Sequence, residues 1–207
     1  MNKQGMLIVI SGFSGVGKGT AVKELVKKYG YSVSISATTR APRTGEVDGR
    51  EYFFKTVEEF ESLIAEDGLI EYAKYVDNYY GTPRAFVESE LLAGHNVILE
   101  IEVEGALQIK KQYPNAILIF ISASSGTELK ERLAGRGTES EEVVLKRMKR
   151  AVDECKSIPS YEYFVINRDG QLDRCVDEIH AIVTAKSMEL GLWKDDIAAI
   201  QKELMEI

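Results

Sequence analysis

Short apolar runs alternate with amphipathic stretches along this chain. MLIVI (Met6–Ile10) is continuously apolar and precedes a glycine-rich loop, as a strand buried on both faces does. Helical spacing follows over Lys18–Tyr29, and Gly30 supplies its stop. YSVSI (31–35) predicts a short strand, and ATTRAPRTGEVDGREYFF (37–54) reads as irregular. Thr56 with Glu59 forms a capping box for a helix to about Asp67. LIEYAKY (69–75) predicts a strand. Thr82 followed by Pro83 reads as the cap and first residue of a helix that Gly94 ends.

VILEIEV (97–103) predicts a further strand, whose alternation sets Glu100, Glu102 and Glu104 on one face. AILIFIS (116–122) predicts another, followed by a short helix ending at AGRG (134–137). Thr138 with Glu141 reads as a second capping box, opening a helix to about Ser157. YFVIN (163–167) is the last predicted strand. Helices are expected over Gln171–Glu189 and around Trp193–Met205. The apolar stripe of the last one (Leu192, Trp193, Ile197, Ile200 and Leu204) is expected to pack within the molecule rather than form a dimer seam. Oligomeric state stays open between monomer and homo-oligomer.

Strands alternating with helices imply an α/β fold, a parallel sheet covered on both faces. Ligands in such sheets sit beyond the carboxyl ends of the strands. GFSGVGKGT, the acidic end of VILEIEV and Asn167 all fall there.

GFSGVGKGT (Gly12–Thr20) has the spacing of a phosphate-binding loop. The loop amides of Gly12, Ser14, Gly15, Val16, Gly17, Gly19 and Thr20 and the positive end of the next helix suit phosphate oxygens, with Lys18 as a point charge on them. The residue after the lysine is usually a Ser or Thr that reaches magnesium. Here it is Gly19, so Thr20 and Glu100 become the candidates to hold Mg2+ through water.

Composition narrows the partners. The chain has 207 residues, 33 acidic against 26 basic, and a net charge of −7. That balance argues against general nucleic-acid binding, which needs a positive field. The apolar runs are too short for a membrane span or a leader core. Cys155 and Cys175 lack metal or redox spacing, and His95 and His180 have no ligand-like neighbours, so a soluble cytoplasmic protein with reduced thiols is expected.

In SATTRAPRTGEVDGREYFF (36–54), Arg40 and Arg43 stand three apart around Pro42, two guanidinium forks suited to one phosphate. Tyr52 adds a hydroxyl, and NYYGT (78–82) repeats the polar aromatic chemistry. With these motifs together, the sequence resembles guanylate kinase from Leu7 to about Ala185. The resemblance is carried by GFSGVGKGT, SATTRAPRTGEVDGREYFF, LIEYAKYVDNYYGT, LEIEVEGA, RLAGRGTESEEVVLKRM and VIN.

The resemblance implies a three-layer P-loop fold whose parallel sheet is flanked by helices, with a small mixed GMP-binding excursion and a helical lid. The core would be 1–35, 83–125 and 158–207, the GMP-binding region 36–82 and the lid about 126–157. It implies that Arg40, Arg43, Tyr52 and Tyr80 hold the acceptor phosphate and that Ser36, Glu71 and Thr82 read guanine. Glu71 can accept from the N1–H and 2-amino group of guanine, which adenine lacks, and a site built for such bonds rejects the wrong base strongly. Glu100 is the first choice to meet acceptor ribose, base or magnesium-bound water, with Glu102 second. Arg132, Arg136 and Arg147 match the lid arginines over ATP, and Asn167 the adenine-side residue. Lys146, Lys149 and Arg150 read as ordinary surface charges.

The implied reaction is in-line transfer from MgATP to GMP, and to dGMP, giving ADP and GDP, with Lys18, Arg43, Arg136 and Arg147 neutralising charge. The alternatives are a non-catalytic protein-binding module of the same fold and a kinase for another nucleoside monophosphate. Arg168 stands where the family commonly has Asp after Asn, and Glu100 and Glu102 stand where it often has Asp.

Overall fold

The computed structural model describes residues 4–75, 77–135 and 141–206. In chain order the elements are β1 (Leu7–Gly12), α1 (Lys18–Tyr29), β2 (Ser32–Val33), β3 (Ala37–Thr38), β4 (Phe53–Phe54), α2 (Val57–Ala65), β5 (Leu69–Tyr75), β6 (Asn78–Pro83) and α3 (Arg84–Leu92). There follow β7 (Val97–Glu100), α4 (Val103–Gln112), β8 (Ile117–Ser122), α5 (Gly126–Ala134), α6 (Glu141–Cys155), β9 (Tyr163–Ile166), α7 (Leu172–Ser187) and α8 (Lys194–Met205).

β1 lies at the centre of a parallel sheet ordered β2-β7-β1-β8-β9. Its continuous apolar run is needed because both faces are covered. Ile8 and Ile10 turn to one side, where Ala21, Val22 and Leu25 of α1 and Val176, Ile179 and Val183 of α7 close the core. Leu7 and Val9 turn to the other, against Val87 and Leu91 of α3 and Ala106 and Ile109 of α4. α1 stops where Gly30 takes a left-handed conformation and donates its amide to the Val26 carbonyl.

A second, mixed sheet is ordered β4-β3-β6-β5 and covers a small core of Ala37, Phe60 and Leu69. α2 closes that core, and both halves of its Thr56–Glu59 capping box are formed. β3 and β4 lie inside the stretch expected to be irregular; two residues each, they are too short to show a period.

Three expectations are corrected. β7 ends at Glu100, so Glu100, Glu102 and Glu104 do not share a strand face: Glu102 caps α4 and Glu104 lies in its first turn. Thr82 is not a helix cap. It belongs to β6, where it pairs with Glu71, and Pro83 takes the cap position of α3. The stripe of α8 does not pack inside the molecule, since α8 buries no residue and Ile197, Ile200 and Leu204 are exposed. The capping box at Thr138 lies outside the described residues.

Candidate active site

The loop between β1 and α1 is shaped by glycines. Gly15 and Gly17 have φ of 88° and 89°, and a Cβ at Gly17 would also stand 2.8 Å from the Asn167 amide nitrogen. Gly17 caps α1 without a side-chain bond, and the first turn holds no acid. Its amides and the positive helix end therefore remain for an anion. Lys18 Nζ meanwhile donates to the carbonyls of Gly12 (2.7 Å) and Phe13 (3.2 Å), folded over its own loop.

Three side chains hold this loop from outside. Asn167, buried at the end of β9, donates Nδ2 to the Val16 carbonyl at 2.8 Å. Arg132 of α5 donates to the Asn167 carbonyl (2.8 Å) and to that of Val16 (3.4 Å), and pairs with Glu128. Arg147 of α6 donates to Ser14 Oγ at 3.0 Å. Arg136 lies outside the described residues.

Beside the loop opens a cleft of about 460 Å³ between the two sheets, lined by Lys18, Ser36, Tyr52, Glu71, Tyr80, Glu100, Glu102, Gly105, Arg150 and Glu154, among others. The rings of Tyr52 and Tyr80 stand 6.0 Å apart, edge to face. Arg40 lies against Tyr52, 5.4 Å from the ring centroid. Both Glu46 carboxylate oxygens accept from Arg40 Nη2 (3.0 and 2.9 Å), and one also accepts the Arg43 backbone amide at 2.7 Å. Glu46 was missed from sequence; its only signal was an acid three residues after Arg43. Arg43 itself is exposed.

Glu71 is buried in the wall of the cleft, where its Oε1 accepts the Thr82 hydroxyl at 2.6 Å. Burial pushes its carboxyl up to about 7; the Thr82 bond opposes the shift and the charge of Glu104 adds to it. Thr82 is wholly buried and is not among the residues lining the cleft, so its hydroxyl serves Glu71.

Glu100 closes β7 opposite Ile10. Water reaches it, yet the crowding cleft walls raise its carboxyl above the usual range; Lys18 pulls it down and Glu102 pushes it up. A Cβ on Gly19 would lie 3.5 Å from Glu100 Oε2. Thr20 is exposed and is not among the cleft-lining residues.

Arg150, expected to be a surface charge, lines the cleft and bridges Glu102 and Glu154 at 2.8 Å each. With Arg147 on the phosphate loop, α6 thus touches both halves of the site. Among the described residues no three His, Cys, Asp or Glu side chains gather as a metal site, and no helix is long and apolar enough to cross a membrane.

A phosphate loop at the sheet's carboxyl edge, with a nucleotide-sized cleft beside it and basic side chains reaching over both, defines a P-loop nucleotide kinase. The family model described as guanylate kinase matches residues 4–186. The chain is 49% identical to a guanylate kinase of Caldanaerobacter subterraneus subsp. tengcongensis, covering 98% of each. It is 46% identical to one of Clostridium acetobutylicum, covering 95% of this chain and 93% of that one. The crystal structure of guanylate kinase from Anaplasma phagocytophilum superposes with a TM-score of 0.74 at 28% identity, over 91% of this chain and 89% of that one. The chain belongs to the guanylate kinase family.

Proposed function

We propose that the chain transfers the γ-phosphoryl group of ATP to GMP, giving ADP and GDP, with the roles assigned as follows. The observation that carries this reading is the buried Glu71 carboxylate in the same cleft that Lys18 lines. A carboxylate with one oxygen tied to Thr82 suits the paired N1–H and 2-amino donors of guanine and leaves adenine unmatched. Ser36 lines the same cleft and adds a hydroxyl toward the base. Tyr52, Tyr80, Arg40 and Arg43 take the phosphate of GMP.

ATP lies on the loop from Gly12 to Thr20, its phosphates on the amides before α1. Lys18 leaves the Gly12 and Phe13 carbonyls for the β and γ phosphates. Asn167 and Arg132 fix the loop through Val16, while Arg147 and Arg136 bring positive charge to the transferring group. The acceptor oxygen is already anionic, so no general base is required, and positioning with charge neutralisation does the catalysis. The region 36–82 and the lid at about 126–157 close over the core and keep water from the phosphoryl group.

Magnesium bound with ATP supplies charge neutralisation on the phosphates. The residues fit it: Glu100 offers a hard oxygen beside Lys18, facing Gly19, and would hold the ion through water. A coupled assay of ADP release with ATP and GMP, dGMP, AMP, UMP or IMP tests the reading. Turnover with GMP well above AMP is expected. No ADP with GMP would refute it in favour of a binding module, and AMP preferred to GMP would reassign the acceptor.

A further inference from the structure

α4 carries Gly105, Gln108 and Gln112 at the spacing of one helix stripe. All three address consecutive residues of β5, the edge strand of the small sheet. Gln112 Nε2 donates to the Ile70 carbonyl at 2.8 Å. Gln108 donates Nε2 to the Tyr72 carbonyl at 2.8 Å and accepts the Tyr72 amide at 3.2 Å. Backbone groups that an edge strand leaves unpaired are thus met by side chains from the core.

Between these two anchors Glu71 lays its carboxylate against Gly105. A Cβ at Gly105 would lie 2.4 Å from Glu71 Oε2 and 3.0 Å from its carboxyl carbon. Gly105 is not among the positive-φ glycines, so its backbone has no need of glycine; the close approach does. The other carboxylate oxygen is held by Thr82 from β6. Glu71 is therefore located from both sides, by its own sheet and by a helix that begins three residues after Glu100.

We propose that Gly105, Gln108 and Gln112 are positioning residues that set where the Glu71 carboxylate stands relative to the core, and through it the preference for guanine over adenine. The proposal rests on the reading of Glu71 as the guanine-recognising group. A carboxylate that recedes from the base loses both bonds that distinguish guanine, while the phosphate contacts assigned to Arg40, after β3, and Tyr80, on β6, are untouched. The expected signature is a loss confined to the acceptor base.

The test is steady-state kinetics of four variants with GMP, AMP and ATP. Gly105→Ala is expected to raise the KM for GMP at least about tenfold and to lower the GMP-over-AMP ratio of kcat/KM by a similar factor, with the KM for ATP within about twofold. Glu71→Asp shortens the carboxylate by one methylene; it impairs the parent enzyme but recovers part of the GMP affinity when combined with Gly105→Ala. Gln108→Met with Gln112→Met removes the anchors at similar volume, and about a threefold to tenfold rise in the GMP KM is expected with ATP unaffected. This last variant decides the matter even if Gly105→Ala fails to fold. A GMP KM and base preference within about twofold of the parent in the double Met variant overturns the proposal, as does an equal rise in both KM values. Absence of GMP turnover by the unaltered protein would instead defeat the assigned reaction, and the inference with it.

Discussion

Glu71 should make this protein less stable as the pH rises, and Glu71→Gln should remove that effect. Its carboxyl is pushed from 4.5 to about 7 in the folded state, chiefly by burial. The folded chain therefore holds this proton more tightly than the unfolded chain. The stability it contributes is complete below about pH 4.5 and is lost as the pH climbs through about 7. That difference corresponds to about 3 kcal/mol in total, most of which falls between pH 5 and pH 8. In a chain of this size that is about 5–10 °C in Tm. Gln keeps the shape and the acceptor for the Thr82 hydroxyl but carries no charge. Urea unfolding of both proteins at pH 5 and pH 8 measures the effect: the stability of Glu71→Gln relative to the parent should rise by about 2–3 kcal/mol over that interval. The charge of Glu104 helps raise this carboxyl, so Glu104→Gln should narrow the difference. Parallel pH profiles for parent and Glu71→Gln would refute the reasoning. The same variant should lose GMP selectivity, because the ionised carboxylate that costs stability is the form that accepts both guanine donors.

Asn167→Ala removes the shorter of the two side-chain bonds to the Val16 carbonyl and leaves only that from Arg132, and about a tenfold rise in the KM for ATP with GMP little changed is expected from substrate titrations. Glu46→Gln loosens the Arg40 pair and the Arg43 amide together, so the KM for GMP should rise about tenfold, and IMP, with the same phosphate, should suffer equally. Arg150→Ala removes the bridge from α6 to Glu102; kcat should fall about threefold to tenfold, and the loss in Arg150→Ala with Glu102→Gln should be no greater than in either single variant. Additive losses in that double variant would mean that the two residues act independently.

What the sequence disclosed depended on how local the cause was. Lys18–Tyr29 showed both ends because its start follows a glycine loop and its stop is a single left-handed glycine. The Thr56–Glu59 box is likewise complete within four residues. Thr82 carried an equally local signal and misled, because cross-strand pairing with Glu71 outweighs the preference of a Thr-Pro pair for a helix start. The end of β7 was invisible for a related reason. Alternation runs on unbroken through Glu102 and Val103, and Glu102 caps α4 with no side-chain bond to betray it.

The site divides along the same line. The glycine loop is one contiguous segment, and its place between β1 and α1 was legible. Arg150 sits among Lys146, Lys149 and Arg147 on one helix, and nothing in that stretch separates a solvated charge from one that crosses the cleft to Glu102, 48 residues away. Gly105 is the sharper case. A glycine in the first turn of a helix reads as a weak helix former, costing about 1 kcal/mol against alanine. Its reason lies 34 residues earlier, in a carboxylate that leaves no room for a methyl group. A position that sacrifices local propensity in this way marks a constraint imposed by something distant, and here the distant partner is Glu71, the group proposed to distinguish guanine from adenine. Gly105→Ala should therefore favour α4 in isolation and harm the enzyme, and that opposition of signs is what separates a specificity constraint from an ordinary weak point in a helix.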